Sequence, residues 1–171
     1  DPRCGLFEFD PLAATEWYRS QPVEVQQRVG LHRICSAFKV GMQFENLLQR
    51  GLLSYAFRLP NGAPEYRYLH HEIIEESQHS LMFQELVNRI GIDVPGMPRW
   101  LRMLSPIVPF YAGPLPNSFF FGVLAGEVPF DYLQTLALRE EDSVPAIVRR
   151  MIGIHVAEEA RHISFAHKYL E

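Results

Sequence analysis

Cysteine is scarce, with two residues in a chain of 171, Cys4 and Cys35. They form no C-x-x-C pair and no disulfide framework, so a reduced, cytoplasmic protein without a thiolate-held metal is expected. Positive charge is also in short supply: 16 Lys and Arg face 20 Asp and Glu, for a formal net charge of -4. Without a basic run there is no phosphate-neutralising surface, which excludes nucleic acid as an expected partner. Long apolar runs are missing. The longest, Phe119 to Ala125, is far short of the roughly 20 residues of a membrane span, so no membrane association is expected. Asp1-Pro2-Arg3-Cys4 lacks the basic-then-apolar pattern of a secretory leader. No strand-like alternation of apolar and polar residues recurs anywhere. What remains, at 47% hydrophobic and 21% charged residues, is a globular composition sized for a single domain over 1–171.

The apolar residues follow helical periods in four segments. From about Val23 to Leu53 they fall at Ile34, Phe38, Gly41 and Leu48. From Glu65 to Ile90 the stripe runs Leu69, Ile73, Ser80, Phe83, Val87, Ile90, opened by Asn61-Gly62-Ala63-Pro64 and closed by Gly91. A third helix, capped by Asn117 or Ser118, reaches about Arg139; its first turns are apolar on every side, which predicts burial all round. Ser143 and Pro145 open a fourth that runs to Leu170 with Val148, Ile152, Ala166 and Tyr169 on one seam. Between helices two and three, residues 92–116 hold six prolines, at 95, 98, 106, 109, 114 and 116. That segment is a long crossover, and the other loops are short. Two helical hairpins joined by one crossover is the topology of an all-α, ferritin-like four-helix bundle. Residues 1–22 are expected to pack outside its core, and Trp100, Phe110, Tyr111 and Phe119 to Phe121 within it or along a channel beside the crossover.

Each seam is interrupted by a residue that apolar packing would not select. Glu45 follows Gly41 by four residues and precedes Leu48 by three. Glu76 and His79 fill the gap between Ile73 and Phe83, Glu127 lies three after Leu124, and His155, Glu159 and His162 continue from Ile152 at steps of three, four and three. Four acids and three imidazoles facing one interior need a compensating positive charge. A pair of metal ions supplies it, because Glu-x-x-His presents an oxygen and a nitrogen on one helical face. Oxygen-rich ligation with imidazole and no thiolate points to two iron ions, with manganese or a mixed Mn/Fe pair as the alternative.

The two halves echo each other. Glu45 to Glu76 spans 31 residues (76 − 45) and Glu127 to Glu159 spans 32 (159 − 127), and the motifs read Glu75-Glu76-Ser77-Gln78-His79 and Glu158-Glu159-Ala160-Arg161-His162. By chance about 0.05 occurrences of Glu-Glu-x-x-His are expected, against two found. Glu75 and Glu158, the first acid of each, are placed to accept the free ring N–H of a metal-bound His, including one from the opposite half. His32, His70, His71 and His167 read as surface or structural. Asp131 and Arg161 are equally compatible with roles beside the metals or at the surface, and Pro129, just after Glu127, removes a backbone hydrogen bond near the site.

Glu45, Glu76-x-x-His79, Glu127 and Glu159-x-x-His162 resemble the ligand set of ferritin-like non-haem di-iron carboxylate proteins. With His155 added, the pattern His-x-x-x-Glu-x-x-His resembles the di-iron N-oxygenases typified by the aureothin-pathway p-aminobenzoate N-oxygenase, over about residues 30 to 170. The resemblance implies O2 as co-substrate, activated at a di-ferrous site, and stepwise oxidation of an arylamine to hydroxylamine, nitroso and nitro products. It also implies more chain than the nine residues that follow His162 here (171 − 162). The expected partners are a small-molecule amine or other organic substrate and an external electron donor, with a homodimer an allowed assembly. Two other readings share these residues: a C–H hydroxylase, desaturase or ferroxidase, and a non-catalytic bundle with networked acids. An organic cavity beside the metals, against an acid-lined iron path, separates the oxidases; stoichiometric metal separates both from the bundle.

Overall fold

The computed structural model describes residues 4–140 and 144–171. Among these residues the chain is all-helical, with α1 (Glu16–Arg19), α2 (Val23–Ala56), α3 (Pro64–Ile90), α4 (Arg99–Leu104), α5 (Ile107–Ala112), α6 (Pro116–Arg139) and α7 (Ala146–Leu170). The four long helices are those the periodicity marks. α2 packs on α3 and α6 on α7, and the two hairpins meet where α3 faces α7 and α2 faces α6. This is the ferritin-like arrangement, with the proline-rich crossover broken into α4 and α5.

The helix ends follow local chemistry. Pro64 occupies the first turn of α3, where its missing N–H costs nothing, and Gly91 ends that helix at φ 71°. Pro145 stands just before α7, and Ser143 lies outside the described residues. The expected cap of α6 is corrected: the helix begins at Pro116, and neither Asn117 nor Ser118 caps it. A proline already set at helical φ starts the turn one or two residues earlier than a polar cap would.

The buried faces form a polar belt between two apolar layers. Leu48, Leu52, Leu69, Phe119, Phe120 and Ala166 make one layer. Ile34, Phe38, Phe83, Val148 and Ile152 belong to the other. Each long helix crosses from one layer to the other, and the residues it contributes midway are the ionisable ones.

Three expectations need correction. The seam of α3 is Leu69, Glu72, Glu76, His79, Phe83, Leu86. Ile73 and Val87 flank it half-buried, because α3 is turned about one residue from the apolar maximum to bring its ionisable groups inward. α6 is not buried all round: Phe121, Tyr132 and Leu133 are exposed, since α6 packs on α2, α5 and α7 and no described element covers its outer face. Of the crossover aromatics, Trp100 and Phe110 are exposed and Tyr111 half-buried, and only Phe119 and Phe120 join the core. Proline spacing marks an irregular segment but not which of its faces turns inward. Residues 4–22 lie at one end of the bundle, where Phe7 and Phe9 pack against the second layer and the Tyr18 hydroxyl accepts a hydrogen bond from Leu6 N at 2.9 Å.

Glycine sets how closely α2 and α6 approach. A Cβ at Gly51 would collide with the Phe119 ring, and one at Gly126 with the Phe44 ring. Gly51→Val is therefore expected to destabilise the protein by about 1–3 kcal/mol through overpacking, read as a lower urea midpoint with unchanged far-UV circular dichroism.

Candidate metal centre

All seven ligand-type residues expected from the sequence face the interior, none more than 1% exposed. Glu45 comes from α2, Glu76 and His79 from α3, Glu127 from α6, and His155, Glu159 and His162 from α7. At the centre, two acids and two imidazoles form a closed square. His79 Nδ1 lies 3.1 Å from Glu76 Oε2 and 3.2 Å from Glu159 Oε1. His162 Nδ1 lies 2.8 Å from Glu76 Oε1 and 3.3 Å from Glu159 Oε2. Each carboxylate thus spans both imidazoles. His155 stands beside this square, its Nε2 3.2 Å from Glu45 Oε1 and 3.5 Å from Glu159 Oε1.

The outer ring nitrogens are held across the halves. His79 Nε2 is 2.7 Å from Glu158 Oε2, and His162 Nε2 is 2.8 Å from Glu75 Oε2. Arg161 steadies Glu75 through an Nη2 to Oε1 hydrogen bond of 2.6 Å. With Nε2 occupied in both rings, Nδ1 is the atom each imidazole can offer to a metal.

Several interior atoms have no hydrogen-bond partner among the described residues: Glu45 Oε2, Glu72 Oε2, Glu127 Oε1 and His155 Nδ1. Ligand-type atoms converge within 4.8 Å in two groups, Glu45 with His79, His155 and Glu159, and Glu72 with Glu76 and His162. Glu127 belongs to neither. Glu72 is a residue that sequence reasoning missed. Its signal was present, three residues after Leu69 and four before Glu76, but Ile73 beside it drew the seam one position away. Among the other histidines, His32, His71 and His167 are exposed and His70 half-buried, and none joins either group. Asp131 is half-buried, with its carboxyl pushed up by burial. α6 runs through Pro129 as helix.

Electrostatically, the metal-free cluster neutralises itself with protons. Burial pushes Glu45 and Glu127 well above the usual carboxylate range, and neighbouring acids push them further. Burial likewise holds Glu72 up at about 8. Burial would raise Glu76 and Glu159 too, but hydrogen bonds from His162 and His79 outweigh it and hold both low. Those same bonds overcome the desolvation of the imidazoles and lift His79 to about 10 and His162 to about 12. For His155, burial outweighs the pull of Glu159 and depresses it to about 4. The centre therefore consists of two ion pairs surrounded by protonated acids. Unpartnered buried oxygens, an unpartnered imidazole nitrogen and protons held on Glu45, Glu72, Glu127 and the two paired imidazoles are what a two-metal carboxylate–histidine site presents before loading. The donor set fits.

The pH dependence of the metal-free chain follows with a definite sign. Between 4.5 and about 8 the folded chain keeps the Glu72 proton that the unfolded chain has given up, and between 6.5 and about 10 it keeps the His79 proton. Unfolding releases those protons, so stability falls as pH rises. In chelator, the thermal midpoint is expected to drop steadily between pH 6 and pH 9, and Glu72→Gln to blunt the drop. Divalent metal uptake is expected to release protons and tighten over the same range, read by calorimetry in buffers of different ionisation enthalpy.

The chain matches the family model described as P-aminobenzoate N-oxygenase AurF over residues 1–171. It is 56% identical over 170 residues to the uncharacterized protein Rv0885 of Mycobacterium tuberculosis and to the uncharacterized protein Mb0909 of Mycobacterium bovis. The alignments cover 99% of this chain and 50% of each relative, so the chain spans about half the length of the curated relatives it matches. No solved structure gives a significant match. No helix among the described residues is long and apolar enough to cross a membrane. With a match along its whole length, the chain belongs to the p-aminobenzoate N-oxygenase AurF family.

Proposed function

We propose that the chain is the metal-binding part of a di-iron oxygenase that inserts oxygen at the nitrogen of an organic amine. The ligands are Glu45, Glu76, His79, Glu127, His155, Glu159 and His162, with Glu75 and Glu158 orienting His162 and His79. The observation that carries the reading, in a member of this family, is an apolar cavity next to the carboxylate–histidine cluster. It has a volume of about 470 Å³ and is lined by Phe7, Phe38, Phe130, Leu133, Gln134 and Ile152 among others. Phe130 separates it from the cluster, its ring edge-on to His155 at 5.9 Å. A single-ring organic molecule suits this volume and lining, whereas iron entry to a ferroxidase calls for a path of acids. The larger cavity is lined by the N-terminal segment with α2, α6 and α7; the crossover contributes Val108 and Tyr111 to a second cavity of about 130 Å³.

The residues divide the work as follows. The bound iron pair supplies the redox chemistry with O2. The Glu45 and Glu127 carboxyls must give up their protons on loading, and the cross-half hydrogen bonds fix the imidazoles so that their Nδ1 atoms stay inward. The two apolar layers exclude water from the centre. Gln134, buried with both amide atoms unpartnered among the described residues, offers one donor and one acceptor on the wall of the apolar cavity. The first oxidation, of R–NH2 to R–NHOH, consumes one O2, two electrons and two protons and releases one water, so it needs an external electron donor.

The test is anaerobic loading with Fe(II), metal analysis, and then exposure to O2 and a chemical reductant with a panel of arylamines. About two irons per chain and a hydroxylamine product, identified by mass spectrometry with 18O2, are expected. Glu159→Ala is expected to lose both metal uptake and product. A chain that takes up iron and turns over only Fe(II) would move it to the ferroxidase class, and one that binds no iron or manganese would end the oxygenase reading.

A further inference from the structure

The two hairpins correspond by exchange of α2 with α6 and of α3 with α7. That exchange pairs Glu45 with Glu127, Glu76 with Glu159 and His79 with His162. On α7, His155 lies four residues before Glu159; on α3, Glu72 lies four residues before Glu76. One helical turn before each central carboxylate there is thus a further ligand-type side chain, and the exchange pairs His155 with Glu72.

Space divides the atoms in the same way. One converging group is Glu45, His79, His155 and Glu159, and the other is Glu72, Glu76 and His162. Applied to the first group, the exchange yields Glu127, His162, Glu72 and Glu76. The second group is that set without Glu127. Glu72 is 2% exposed, and its Oε2 has no hydrogen-bond partner among the described residues. Its place in the α3 seam, between Leu69 and Glu76, is one that core packing would give to an aliphatic residue. A carboxylate there converges with Glu76 and His162 and, once it gives up its proton, is costly to bury unless a cation meets it.

We infer that Glu72 is an eighth ligand, binding the second metal position as His155 binds the first. The inference rests on the reading of this cluster as a two-metal centre. It makes the two positions chemically unequal. Glu45, Glu159, His79 and His155 offer two carboxylates and two imidazoles to the first. Glu127, Glu76, Glu72 and His162 offer three carboxylates and one imidazole to the second, which is harder and more negative and favours an oxygen-seeking ion such as Mn(II).

Anaerobic titration of the chain with Co(II), followed by calorimetry and by the visible absorbance of bound Co(II), tests this without reference to turnover. The wild-type chain is expected to take up two Co(II). Glu72→Ala is expected to weaken one of the two steps by about tenfold or more and leave the other unchanged, and His155→Ala to weaken the opposite step. Glu72→Gln keeps the shape and removes the charge; it is expected to behave like Glu72→Ala and decides the matter if the smaller side chain does not fold. Two Co(II) bound with wild-type affinities by the folded Glu72 variants would overturn the role of Glu72 and leave the two-metal centre standing. A wild-type chain that binds no Co(II), Fe(II) or Mn(II) would overturn both.

Discussion

Everything else in this protein accommodates the square of Glu76, Glu159, His79 and His162. Four ionisable groups within about 3 Å contacts, all essentially inaccessible, form an arrangement that an apolar core tolerates only if charge is balanced atom by atom. In the metal-free chain the balance comes from protons on both imidazoles and on the surrounding acids. In the proposed metal centre the same positions would exchange those protons for divalent metals, so folding and metal loading would draw on one set of groups.

The bundle confines this charge to one level. Above and below the belt the long helices carry ordinary core residues, Leu52, Leu69 and Phe120 on one side and Phe38, Phe83 and Ile152 on the other. Those layers supply the stability that the polar belt cannot. They also keep water from screening the belt, which is why the pKa displacements there are large. Phe83 joins layer to belt, its ring tilted against Phe38 at 5.0 Å and lying 5.0 Å from the His155 ring.

The approximate twofold relation of the hairpins is broken where chemistry would need it broken. The acid that holds His162 is itself held by Arg161, whereas the corresponding position on α3 is Gln78. His155 on one side corresponds to Glu72 on the other, and Phe130 and Ile152, which line the apolar cavity, lie on the His155 side. A symmetric scaffold thus carries its apolar cavity beside one end of the cluster.

Helical period was enough to read from the sequence the four long helices and the seven inward-facing residues, proline spacing marked the broken crossover, and the repeated Glu-Glu-x-x-His motif pointed to Glu75 and Glu158. Side chains three and four apart must share a face, and an ionisable group on an apolar face has few explanations. What period cannot supply is rotation about a helix axis to better than about one residue, or what lies across from a face. Glu72 was hidden behind Ile73 for the first reason. The outer face of α6 and the exposed Trp100 and Phe110 were misjudged for the second, because hydrophobicity says that a surface prefers cover and not whether any is present. Which imidazole meets which acid, the division of ligands into two unequal groups and the cavity behind Phe130 were decided by tertiary structure alone, since each depends on how residues far apart in sequence approach across helices that carry no local signal of their partners.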